Sequence, residues 1–134
     1  MKRTSVGVIA CLLVCCLCPG AGSAQAATTV GSKLRVELDA AKVDDVIPVI
    51  IMLSDRVNLR QFKDKNLSVR RDKLIRALKR KATTSQRGLE GFLRARGATE
   101  IKRLWLINAL AARLPASAIR AVERRPDVES VHLD

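Results

Sequence analysis

The spacing of apolar residues changes several times along the chain, and each change marks an element. Val46 to Leu53 (Val-Ile-Pro-Val-Ile-Ile-Met-Leu) is an unbroken apolar run. It is short and rich in β-branched residues, which predicts a buried strand rather than a helix. Pro48 has no amide to donate, so a bulge or an unpaired position is expected there. From about Leu67 to Arg96 the residues Leu74, Leu78, Ala82, Leu89 and Phe92, with Ile75 and Leu93 beside them, follow spacings of four, seven and three. Those spacings put them on one face of a long amphipathic helix. At 1.5 Å per residue such a helix reaches roughly 45 Å. That is more than a small sheet can cover, so an overhanging end or a bend is expected. Gly88 and Gly91 are the natural weak points, or else positions where the helix packs closely on the sheet.

Gly97 is placed to stop this helix. Thr99 to Leu106 and Ala109 to Leu114 then read as two strands joined at Ile107-Asn108. Pro115 to Arg124 reads as a short helix with Pro115 in its first turn, Ile119 and Val122 inward, and Arg124-Arg125 at its negative end. Pro126 ends it, and Val128 to Leu133 forms a last strand. Strand, helix, strand, strand, helix, strand is the order of an α+β, ferredoxin-like βαββαβ domain over residues 46–134, a four-stranded antiparallel sheet with two helices on one face. Residues 27–45 are polar apart from an alternation at Leu34, Val36 and Leu38, and are expected to be a flexible lead-in.

A sheet covered on one face should alternate apolar and polar residues. The first strand does not. Val46, Pro48, Ile50 and Met52 point one way and Ile47, Val49, Ile51 and Leu53 the other. In the third strand, Leu110, Ala112 and Leu114 share one face while Ala109 and Ala111 occupy the second. An apolar second face of several hundred Å² predicts a contact site, with Ile50, Met52, Ala109 and Ala111 as its centre. The lead-in segment or self-association is the alternative cover.

Composition narrows the setting. Residues 1–26 carry Lys2 and Arg3, an apolar run from Val6 to Cys18, then Pro19-Gly20 and Ala24-Gln25-Ala26, the pattern of a secretory signal peptide cleaved after Ala26. The run is shorter than the ~20 residues that span a bilayer. All four cysteines (Cys11, Cys15, Cys16, Cys18) lie in it, so the mature chain can hold neither a disulfide nor a thiolate metal site. A secreted or periplasmic domain held by packing alone is expected. The whole chain has a net charge of +12; loss of Lys2 and Arg3 leaves 23 basic against 13 acidic side chains, a net charge of about +10.

Several stretches resemble the propeptide domain of subtilisin-like serine proteases and the free-standing inhibitors built on it. They are the strand Val46 to Leu53, the long helix ending at Gly97-Ala98, the run Ile101-Lys-Arg-Leu-Trp-Leu-Ile-Asn-Ala-Leu-Ala-Ala-Arg-Leu114, and Arg125-Pro-Asp-Val-Glu-Ser-Val-His-Leu-Asp134. The Trp-Leu-Ile-Asn-Ala hairpin and the Pro-Asp-Val-x-x-Val ending are the more specific signals. The resemblance implies a ferredoxin-like domain whose open sheet face packs on two surface helices of the protease, as inhibitor and folding chaperone. In that family a tail after the last strand enters the active-site cleft by strand addition. Here the sequence stops at Asp134, where the tail would begin, which leaves two readings: a free-standing relative that binds mainly through the sheet face, with His132, Leu133 and Asp134 at its margin, or a shortened product separated from its protease.

Other functions fit less well. One histidine, no tyrosine and no cysteine outside residues 1–26 leave no pairing of nucleophile and base, and no metal or cofactor is expected. RNA-recognition modules share this topology but stack bases on aromatics in the central strands. The third strand, Asn108-Ala-Leu-Ala-Ala-Arg-Leu114, has none, so no specific nucleic-acid partner is expected. The dense basic run Arg70, Arg71, Lys73, Arg76, Lys79, Arg80 and Lys81 predicts a solvated helix face or steering towards an acidic partner. The alternative function is a basic secreted module that binds polyanions: nucleic acid, anionic membrane or wall polymer.

Overall fold

A computed structural model describes residues 28–134; the segment read as a signal peptide, with its four cysteines, lies outside them. The described chain is α+β, with a five-stranded mixed sheet and three helices. In chain order the elements are β1 (Thr29–Val30), α1 (Ser32–Ala40), β2 (Val46–Leu53), a 3-10 turn (Leu59–Gln61), α2 (Leu67–Arg94), β3 (Thr99–Leu104), β4 (Ala109–Pro115), α3 (Ala116–Val122) and β5 (Val128–Leu133). The sheet order is β1-β5-β2-β4-β3. Every neighbouring pair is antiparallel except β1 with β5, which is parallel.

This corrects the expectation of four antiparallel strands and two helices. The difference comes from residues 28–45, which form β1 and α1 instead of a flexible lead-in. Leu34 and Leu38 are four residues apart, one helical turn, and both are buried against the core that includes Val131, Ile119 and Val49. Val36, which made the segment look alternating, points outward and is 69% exposed. Gly31 N–H donates to the Val131 carbonyl at 2.9 Å, Thr28 Oγ1 donates to that of Val128 at 3.1 Å, and Arg120 of α3 donates to the Leu38 carbonyl at 2.9 Å. The segment thus closes the β5 edge and extends the helix layer.

β2 lies at the centre, paired on one side with β4 and on the other with β5. Ile47, Val49, Ile51 and Leu53 are buried beneath the helices, with Leu110, Ala112, Leu114, Val128 and Val131 from its neighbours. Pro48 accepts at its carbonyl from Asp134 N–H at 3.1 Å. Its missing amide therefore falls on the last rung of the β2–β5 ladder, where it disrupts least.

α2 begins at Asn66, whose Oδ1 accepts from the amides of Ser68 and Val69 at 3.0 and 3.3 Å, an N-cap. It ends at Arg94, and Gly97 just beyond adopts φ +80, a conformation that favours glycine. The sheet-facing residues Ala82, Gln86, Leu89 and Leu93 all lie in its C-terminal half. The first turns overhang, with Leu67 at 75% exposure. Gly88 and Gly91 are both exposed, and a Cβ at either would meet nothing within 4 Å, so close packing on the sheet does not explain them.

The β3–β4 connection is longer than expected. β3 stops at Leu104, and Trp105 to Asn108 form the turn. Asn108 adopts φ 51, the left-handed region that asparagine tolerates better than most residues. Glu100, with φ 52, marks the register shift between Thr99 and Lys102, a bulge near the start of this edge strand.

Candidate functional site

The sheet face turned away from the helices is the candidate site, and strand pairing assembles it. Ile50 stands opposite Ala111 on one side and His132 on the other, while Met52 stands opposite Ala109 and Ser130. Lys102 and Leu104 extend the two rows onto β3. Because side chains alternate along each strand, these residues share one face.

The centre of the face is a shallow trough. Ala109 and Ala111 are buried at its floor because their side chains are short and the neighbouring ones taller. Ile50 and Met52 form one wall and Leu104 contributes to the other, all half-buried. The rim is polar and basic, with Lys102, Arg113 and His132 exposed. The His132 Nε2 lies 3.0 Å from Ser130 Oγ, which holds the ring along β5. α1, α2 and α3 all place their buried residues in the core on the opposite side. Among the described residues no helix lies over the trough.

Five of the residues predicted for the contact site therefore come together: Ile50, Met52, Ala109, Ala111 and His132. Leu133 does not join them. It pairs with Val49 and packs against the core under the helices, since one step along a strand reverses the side chain. Asp134 extends the β5 pairing through its backbone amide and is exposed.

At the end nearest the β3–β4 turn the apolar surface continues around the edge of the sheet. Met52, Val57, Leu59, Leu78, Trp105, Leu106 and Ile107, with Arg56, Lys81 and Asn108 among them, line a groove of about 220 Å³. Leu59, Leu106 and Ile107 are exposed there at 60%, 64% and 47%. The apolar pattern alone places Leu106 at the end of a strand and Ile107 in its connection, which hides this extension. Both residues sit on the turn.

A buried polar cluster fixes that turn. Asn108 Oδ1 accepts from Ser85 Oγ at 3.0 Å and from Gln86 Nε2 at 3.2 Å, and Asn108 Nδ2 donates to the Asp55 carbonyl at 2.6 Å. Gln86 Nε2 also donates to the Ala109 carbonyl at 3.1 Å. α2 is thereby latched to the hairpin whose strand floors the trough. Gln86, fully buried within an otherwise amphipathic helix, was not anticipated; a lone polar residue on the apolar stripe was the available signal.

The predicted basic patch is divided by the fold. Lys81 pairs with Asp55 at 2.8 Å and Lys73 with Asp64 at 2.8 Å. Lys79 lies 5.3 Å from the centre of the Trp105 ring, within cation–π range. Arg70, Arg71, Arg76 and Arg80 are exposed and make no ion pair among the described residues. α2 is also tied to β3 by Glu90, which accepts from Arg94 and Arg103. Those two guanidinium groups hold its carboxyl below the ordinary value of 4.5.

No group of three or more histidine, cysteine, aspartate or glutamate side chains is arranged to hold a metal among the described residues. None of the described helices is long and apolar enough to cross a membrane.

Fold and site together define an α+β domain with its helices on one side of a mixed sheet and an alanine-floored apolar trough on the other. No family model matches the chain, and no curated protein or solved structure matches it either.

Proposed function

We propose that the domain is a secreted, propeptide-like module that binds a subtilisin-like serine protease through the trough, as inhibitor, folding chaperone or both. One observation carries the reading. Among the described residues no helix covers an apolar sheet face that has short residues on its floor and taller ones at its walls. A helix of a folded partner fits a trough of this kind, because alanines let a ridge of side chains approach the backbone closely. The four antiparallel strands with α2 and α3 support a ferredoxin-like core, which β1 and α1 extend. The sequence resemblance to subtilisin propeptides supplies the class of partner. The Leu106–Ile107 tip and its groove continue the same apolar surface and enlarge the contact.

The test is a pair of substitutions in the trough, Ile50→Lys and Ala111→Lys, assayed by titrating a subtilisin-type protease with the protein and following residual activity and complex formation. Burying an unpaired ammonium in such a contact costs several kcal/mol, so either substitution is expected to weaken the complex at least ~100-fold. Both positions face away from the core, and the fold is expected to survive, checked by circular dichroism. Undiminished binding by both folded variants, or no binding by the parent protein, would overturn the proposal.

A further inference from the structure

On α2 the residues Lys73, Arg80, Arg87 and Arg94 recur every seven positions, two turns of helix, and Arg76 lies between the first two. From Lys73 to Arg87 the ridge runs roughly 21 Å at the helical rise. The four cations of the ridge itself, Lys73, Arg76, Arg80 and Arg87, are exposed. Among the described residues Arg76, Arg80 and Arg87 form no ion pair, and Lys73 is engaged only by the half-exposed Asp64. Thr83 and Thr84, on the same outer side, turn their hydroxyls back to the carbonyls of Lys79 and Arg80. Glu90 is already occupied by Arg94 and Arg103.

α2 faces the sheet through Ala82, Gln86, Leu89 and Leu93, so its outer surface points away from both the core and the trough. The trough lies on the other side of the sheet from this ridge, and only at Arg80, beside Asp55, Arg56 and Val57, does the ridge approach the groove that continues the trough. Steering acts through the field of the whole chain and needs no ordered row of cations; the inference here rests on that row and stands apart from the protease reading.

We infer that the outer ridge of α2, Lys73, Arg76, Arg80 and Arg87, is a binding site for an extended, flexible chain of phosphate groups. Three of the four cations are arginine, whose planar fork matches a phosphate oxygen pair. Their linear arrangement suits a chain rather than a single anion. No aromatic residue lies at these positions to stack a base; Trp105 sits beneath Lys79 and Phe92 between Arg96 and Arg125. From Ala82 onward the apolar stripe of α2 is turned into the protein, and between Lys73 and Arg87 the ridge carries no exposed large apolar residue to anchor a bilayer or a protein, Leu67 and Val69 being exposed only in the first turn.

The probe is medium-chain inorganic polyphosphate, with binding followed by calorimetry across a salt series. With four phosphates neutralised, log affinity should fall against log salt with a slope of about −3, a loss of roughly 50-fold between 50 and 200 mM salt. The variant R76Q/R80Q/R87Q should lose about 2 from the slope magnitude and at least ~10-fold in affinity at the lowest salt. A control of equal charge, K33Q/R35Q/K42Q on the α1 side, should leave the slope within about 0.5 of the parent. Parallel arms use a sulfated polysaccharide and vesicles rich in anionic phospholipid. Equal losses in ridge and control variants would reduce the effect to net charge. Absent polyphosphate binding, a shallow parental slope, or tighter binding in either parallel arm would each overturn the inference. The parental slope needs no variant, so the inference is open to refutation even if the triple variant folds poorly. Trough variants should bind polyphosphate normally, which keeps failure of this site distinct from failure of the protease contact.

Discussion

Asn108 is where a single side chain does most to hold the site, and its replacement has a calculable outcome. The residue sits at φ 51. Its side chain joins Ser85, Gln86 and the Asp55 carbonyl, and its own carbonyl accepts from Leu53 N–H at 3.1 Å. In Asn108→Ala the backbone conformation costs about 1 kcal/mol more than with asparagine. The lost hydrogen bonds cost about 1 kcal/mol each where a partner is left without a replacement. Ser85 Oγ keeps the Lys81 carbonyl for its single proton, whereas the buried Gln86 Nε2 keeps the Ala109 carbonyl for only one of its two N–H groups, so two bonds, that one and the one to the Asp55 carbonyl, count in full. The total is about 3 kcal/mol. In Asn108→Gly the left-handed strain disappears, partly offset by the greater freedom of glycine in the unfolded chain, and the loss should be about 2 kcal/mol. Urea denaturation followed by circular dichroism resolves the difference. If glycine proves worse than alanine, the left-handed backbone is not what the position demands. A loss below about 1 kcal/mol in both variants would remove the polar latch from the account.

Three further outcomes follow from the same physics. Leu34→Ala should cost about 3 kcal/mol in a urea melt, because the leucine is fully buried; a cost near zero would mean that α1 contributes nothing to the core. Gly88→Ala and Gly91→Ala should each stabilise by about 0.5–1 kcal/mol, since both lie in an exposed helix interior with open space for a Cβ; a lowered melting temperature would contradict this. Glu90→Gln should destabilise most above about pH 5. The folded-state carboxyl is held below 4.5 by Arg94 and Arg103, so its contribution is complete above the unfolded value and vanishes as pH falls through the lower folded one. Stability curves of parent and variant should therefore converge in acid, and a gap independent of pH would refute the ionic origin.

Local pattern was sufficient wherever one period dominated a segment. β2 was legible to the residue because eight apolar side chains in a row, many β-branched, satisfy a strand buried in the middle of a sheet. α2 was legible through its stripe and Gly97, although its cap at Asn66 was not singled out. Within the expected lead-in of residues 27–45, Leu34, Val36 and Leu38 fit a period of two, whereas only docking against Val131 and Ile119 selects the helix that buries the two leucines and exposes the valine.

For the site, the chain alone specified that β2 and β4 carry apolar residues towards both faces, and hence that Ile50, Met52, Ala109 and Ala111 face together, because alternation within a strand is a local property. Which side each neighbouring strand presents depends on register, and register is set by pairing across long separations. That is why Leu133 falls under the helices while His132 joins the trough. Tertiary packing likewise decided the fate of the basic run. A helix's outer face is defined only once its inner face has found the sheet, so the separation of the Arg76–Arg87 ridge from Lys79 and Lys81 could emerge only from the assembled fold.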